Sequence, residues 1–251
     1  MLRLLARSLP IALVVALCMV LVAPREARAQ SLRHLVYTFT VGINSSQHDT
    51  TAANGISSMA AAGESNQILS SGDNAYNGEV SDKGEISLDI VGMRPDGGLV
   101  VTANESAKER HERDDTCVVY ASTNALCTDP ATYQEIYAVI RTLSPNFYVG
   151  VALDQANHWR VSDPKADVTI DFTAKPETDG TVDITSQRNA RLKGVVSGTI
   201  SATASYHYNP SKYVADSLKE YTTMHEQRGV GSYVDTTVDI TAQLTSDSRT
   251  H

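Results

Sequence analysis

Leu35, Tyr37, Phe39, Val41 and Ile43 share one parity of the chain while Thr38 and Thr40 occupy the other. A period of two is the repeat of a strand with one buried face, whereas a helix brings residues three and four apart together. The same alternation returns along the sequence and confines the chain to sheet architectures. Ile86, Leu88 and Ile90 alternate with Glu85, Ser87 and Asp89, and Pro95-Asp96-Gly97-Gly98 then turns the chain into Leu99 to Ala103. Val168, Ile170 and Phe172 oppose Thr169, Asp171 and Thr173, and Asp179-Gly180 supplies a tight turn before Val182 and Ile184. Val196, Ile200, Ala202, Ala204, Tyr206 and Tyr208 form one side of a run of about fourteen residues, long against the usual five or six. Leu218 to Glu226 follows the pattern weakly, and Val234, Val238, Ile240, Ala242 and Leu244 restore it. The expectation is a mainly β fold built on a large curved antiparallel sheet. Thr-Val-Asp-Ile-Thr occurs at 181–185 and again at 237–241, which reflects a shared period rather than an internal repeat.

One segment has helical periodicity. Tyr133, Ile136, Tyr137, Ile140 and Leu143 recur at three- and four-residue spacing, Asp129 is placed to cap the start, Pro130 suits the first position, and Ser144-Pro145 stops the run. Such a helix is expected to lay one face on the sheet. Just before it, Ser122-Thr123-Asn124 is turn-like, and a hairpin centred on Ser122 sets Cys117 opposite Cys127, within reach of a structural disulfide. Asn44 to Gly84, rich in Ser, Ala, Gly and Asn, reads as a long mobile loop with a short helix near Ile56 to Ala62. The mixed charges from Asn104 to Asp115 read as solvated surface.

The chain opens with Arg3 and Arg7, then fifteen mostly apolar residues from Leu9 to Ala23, then Ala27-Arg28-Ala29. This is the pattern of a signal peptide over residues 1–29, its apolar run shorter than the roughly 20 residues of a membrane span. A single domain is expected over 30–251, exported to a periplasmic or extracellular location, with no later transmembrane span. Removing that segment takes away four arginines and one glutamate and moves the net charge from −8 to −11. A balance this acidic repels nucleic acid and anionic membrane surfaces. Export also favours the oxidised form of the Cys117–Cys127 pair.

Catalytic patterns are not completed. Gly55-Ile56-Ser57-Ser58-Met59 lacks the closing glycine of a nucleophile elbow, Gly229-Val230-Gly231 is not extended into a dinucleotide fingerprint, and His225-Glu226 has no second histidine four positions after the first. No catalytic, cofactor or metal residue is assigned, and a non-enzyme is expected. His111 beside Glu112, Asp114 and Asp115 is a weak cation motif. Asp167, Asp171, Asp183 and Asp239 lie on polar parities where they either form a cation-binding carboxylate ladder or keep an outer sheet face soluble. His158 and His207 read as surface or packing residues.

Long amphipathic strands, a hairpin carrying a disulfide and a helix between Pro130 and Leu143 together resemble the half-barrel proteins of the bacterial envelope, such as the lipoprotein carriers. The resemblance is one of architecture, with one helix where the carriers have more, and it transfers no site residue. It implies a curved sheet around a helical plug and an apolar ligand, lipid or lipoprotein as partner. Two other roles are open: a structural or surface-interaction protein whose apolar face a partner covers, and a secreted hydrolase of unfamiliar type. The oligomeric state is left open.

Overall fold

The computed structural model describes residues 31–49, 78–110, 112–129, 132–163, 167–192, 197–229 and 231–249. The signal-peptide reading, the bulk of the expected loop with its short helix, and His111 lie outside them. The strands are β1 (Arg33–Asp49), β2 (Gly78–Met93), β3 (Leu99–Ala107), β4 (Arg113–Val119) and β5 (Ala125–Cys127), followed by helix α1 (Gln134–Arg141). After the helix come β6 (His158–Asp163), β7 (Val168–Pro176), β8 (Val182–Leu192), β9 (Ser197–Asn209), β10 (Val214–Gly229) and β11 (Ser232–Arg249).

All of them join one antiparallel sheet in the order β5-β4-β3-β2-β1-β11-β10-β9-β8-β7-β6. Two meanders, β1 to β5 and β6 to β11, are joined centrally where β1 pairs with β11 from Arg33↔Arg249 to Asp49↔Ser232. The order is that of an up-and-down barrel cut between β5 and β6, the two strands linked by α1 rather than by a hairpin. The sheet is open, yet its edges approach each other where Asn124 Nδ2 donates to Asp163 Oδ2 at 3.3 Å.

The inward parity is the one the alternation predicts. Leu35, Tyr37, Phe39, Val41 and Ile43 are buried, as are Ile86, Leu88, Ile170, Phe172, Tyr206, Tyr208, Val238 and Ile240. Curvature demands close backbone approach at two glycines: a Cβ on Gly84 would lie 2.1 Å from Ser106 O, and one on Gly198 2.1 Å from His225 O. The turns at 95–98 and 179–180 form as expected. At the latter, Gly180 adopts φ +88°, and Asp179 Oδ1 accepts from Thr181 N at 3.0 Å. Cys117 pairs in register with Cys127 and is bonded to it.

Three expectations are corrected. Residues 44–49 and 78–84 are strand, not loop: 44–49 pair with Thr237–Ser232 of β11, and 78–84 pair with Ser45–Phe39 of β1. The helix begins at Gln134, later than Pro130, with Tyr133 in the cap position and no side-chain cap bond; the Asp129 carboxylate instead meets Arg113 at 3.3 Å. The helix is also enclosed rather than laid on one face, since Glu135, Ala138, Val139 and Arg141 are buried along with Ile136 and Ile140. Behind it, Phe147 enters an edge-to-face aromatic group with Phe172, Tyr206 and Tyr208 that fills the concave side.

Candidate functional site: a cleft at the open seam

Charges on the inward parity distinguish this interior from an ordinary β core. The run expected to be solvated surface is in part buried: Glu105 is fully enclosed and Asp115 nearly so. Arg110 turns inward, its Nε 3.0 Å from Asp82 Oδ2 and its Nη2 3.0 Å from Glu105 Oε1, with Glu135 of α1 as a third partner. Three carboxylates around one guanidinium leave an excess of negative charge. Burial, joined by the Glu135 carboxylate, pushes the Glu105 carboxyl up to about 8.

At the other end of α1 the balance reverses. Arg141 Nη2 donates to Glu220 Oε2 at 2.6 Å and Oε1 at 2.8 Å, and Arg188 Nη2 reaches Oε1 at 3.4 Å. Burial alone would raise the Glu220 carboxyl, but the two arginines together hold it below its ordinary value. Burial, together with Arg141, lowers Arg188 to about 10, and Glu220 offsets this only in part. Arg188 is thus the under-partnered cation of the group. Its Nε is sealed from solvent and has no hydrogen-bond partner among the described residues.

This second cluster lies at a cleft of about 250 Å³ between the β4–β5 turn, α1 and strands β6 to β9. Tyr137, Val161, Val168, Ile170 and Ile200 supply apolar wall, Thr123 and Asn124 stand at the seam, and Arg141 and Arg188 bring charge. Sharing Thr123, Arg141, Ile170 and Arg188 with the cleft is a second space of about 10 Å³, room for one water-sized group. Thr123 is 2% exposed, sits at φ 60°, and its Oγ1 has no hydrogen-bond partner among the described residues.

The residues singled out from sequence fall elsewhere. Asp171, Asp183 and Asp239 do not form a ladder: Asp171 faces Gln187 across the strands, Asp183 faces Lys175 and Asp239 faces Tyr221. Asp171 is held by Arg160 at 2.6 Å and Asp183 by His207 at 2.9 Å, while Asp167 is in the turn before β7. His158 lies 3.3 Å from Asp154 and 3.4 Å from Asp171. Among the described residues, one group of potential metal ligands is close enough to share an ion, Asp115 with Cys117 and Cys127. Its sulfurs are joined to each other, and Asp115 Oδ1 already accepts from Thr128 N at 3.1 Å and Asp129 N at 3.2 Å. These donors, with the Thr128 and Thr132 hydroxyls, outweigh burial and keep its pKa low. The donor set fits a structural knot, not a metal centre.

Sequence reasoning passed over Arg188 and Glu220, although a signal for both was present. Each continues an apolar parity, Arg188 after Val182, Ile184 and Ser186, and Glu220 between Leu218 and Thr222. A charge on the inward parity of a strand marks a polar group that the fold must bury.

No family model matches this chain, and no curated protein matches it either. Among solved structures, one of lipovitellin concerned with lipid–protein interactions is similar over 89% of this chain, at a TM-score of 0.44 and 8% identity. The chain spans 26% of that structure's length.

Proposed function

We propose that this protein is an exported binding protein that takes a small, largely apolar molecule into the seam cleft and does not convert it chemically. The observation that carries this reading is the cleft itself. It opens where the sheet fails to close, six of its thirteen lining residues are aliphatic or aromatic, and the rest of the concave side is filled by α1 and Phe147. Small-molecule sites are mostly apolar concavities with a few placed polar groups, commonly in the mouths of barrels. At about 250 Å³, against the roughly 30 Å³ share of a liquid water, the cleft suits about eight to ten non-hydrogen atoms. That is a short-chain molecule or the tip of a longer chain, not an entire bilayer lipid. A disulfide-stapled hairpin at the rim is consistent with work outside the reducing cytosol.

The test is a titration of the isotopically labelled protein with 1-octanol, followed by amide NMR. Saturable shifts are expected at Val161, Val168, Ile170 and Ile200. Val168→Trp, which places a large ring on the cleft wall, is expected to abolish them. Absence of saturable shifts up to the solubility limit, or shifts that survive Val168→Trp, would overturn the reading.

A further inference from the structure

Resting on that reading, we propose that the ligand is a carboxylate-bearing amphiphile. Its carboxylate is seated between Thr123 and Arg188, and its short apolar chain lies along Val161, Val168 and Ile200. Two independent features of the inner end of the cleft lead here. The first is charge. Arg141 and Arg188 share one carboxylate, Glu220, so the group carries one surplus positive charge on side chains that are only 11% and 17% exposed. The second is unspent hydrogen-bonding capacity. Arg188 has five N–H donors and makes one hydrogen bond among the described residues, at 3.4 Å, while Arg188 Nε and Thr123 Oγ1 have no partner there.

Buried donors without acceptors are costly, and these two line the same water-sized space beside the cleft. An oxygen of a planar anion fits that space and accepts from both. A guanidinium is also the side chain best shaped for a carboxylate, which it holds through paired donors. Among the described residues, two acidic side chains border the site: Glu220 at the small space, whose two oxygens are both taken by Arg141, and Asp163 on the cleft wall, which accepts from Asn124. A ligand with an alcohol head can accept from these donors through its one oxygen but carries no charge and leaves the surplus positive charge uncompensated. A cationic head is repelled by both arginines.

The experiment compares octanoate, 1-octanol and octylammonium on the wild type and on Arg188→Met, Arg188→Lys and Thr123→Val, by the same amide titration. Near-UV circular dichroism confirms that each variant is folded. Octanoate is expected to bind at least tenfold more tightly than octanol, and octylammonium most weakly. Arg188→Met should remove the preference for the acid over the alcohol. Arg188→Lys, which keeps the charge without the fork of donors, should fall between, and Thr123→Val should lose several-fold for octanoate alone. Equal affinity for octanoate and octanol in the wild type would overturn the carboxylate inference and leave the cleft as an apolar site. An acid preference that survives Arg188→Met would also overturn it. Failure of all three probes to bind would overturn the cleft reading and this inference together.

Discussion

Glu105 is enclosed among Arg110, Glu135 and Asp82, and its carboxyl, pushed up to about 8 by burial and by Glu135, stays protonated in the folded protein where an unfolded chain would ionise near 4.5. A folded-state value above the unfolded one means that the stabilising contribution is complete below about 4.5 and is lost as pH rises towards 8. The melting temperature is therefore expected to fall between pH 5 and pH 8, by an amount corresponding to about 2–4 kcal/mol from this group. Glu105→Gln, which keeps a neutral side chain of the same shape, should flatten that fall. Equal slopes in the two proteins would contradict the assignment. Much of this chemistry could be read one residue at a time: Asp82, Glu105, Arg188 and Glu220 each interrupt an inward parity. What could not be read is which charge meets which, because Arg110 lies outside any strand and its partners come from β2, β3 and α1.

Among the elements, strands were the most legible. Their parities, the two tight turns and the Cys117–Cys127 register follow from alternation and turn chemistry alone. The helix was less so. Asp129 and Pro130 look like an N-terminus, but Thr132, Asp129 and the Asp115 carboxylate tie the chain into a knot first, and the helix starts only at Gln134. Tertiary hydrogen bonds won over a local capping signal. Strand length was underestimated at 44–49 and 78–84 because Ser, Asn and Gly are weak strand formers that are held here by cross-strand pairing, 46–49 against β11 and 78–83 against β1. The glycine within β2 gives a test at this scale. Gly84→Val is expected to lower stability by about 2–4 kcal/mol in urea unfolding, since its side chain would collide with the backbone of β3. Gly78→Ala at the start of the same strand, with nothing within 4 Å, should be close to neutral. Comparable losses at both positions would refute the idea that Gly84 marks a bend.

Across the whole molecule, α1 ties the two meanders together. Through Glu135 it holds Arg110, which follows β3, and through Arg141 it holds Glu220 on β10. The single tryptophan, Trp159 on β6, is stacked on Phe172 with ring centres 4.7 Å apart and reports on one meander. Its fluorescence should therefore change at the same urea concentration as the far-ultraviolet signal of the whole sheet. Arg141→Met should separate the two transitions, with tryptophan exposed first; coincident curves in that variant would show that the central β1–β11 pairing is enough for cooperativity. Overall sheet order was not legible in the sequence, because alternation tells which way a strand faces and nothing about its neighbour.

The joint between β1 and β11 has a consequence for how the molecule comes into being. Arg33 and Asp247 are bonded across 214 positions of chain, so the seam at the centre of the sheet is sealed by the last of these strands to be synthesised. Until then β1 and β10 each carry a bare edge, and no arrangement of the earlier strands can substitute for the pairing. Loop closure over such a separation is slow, so the two meanders are expected to form first and the central pairing to be the late step that joins them.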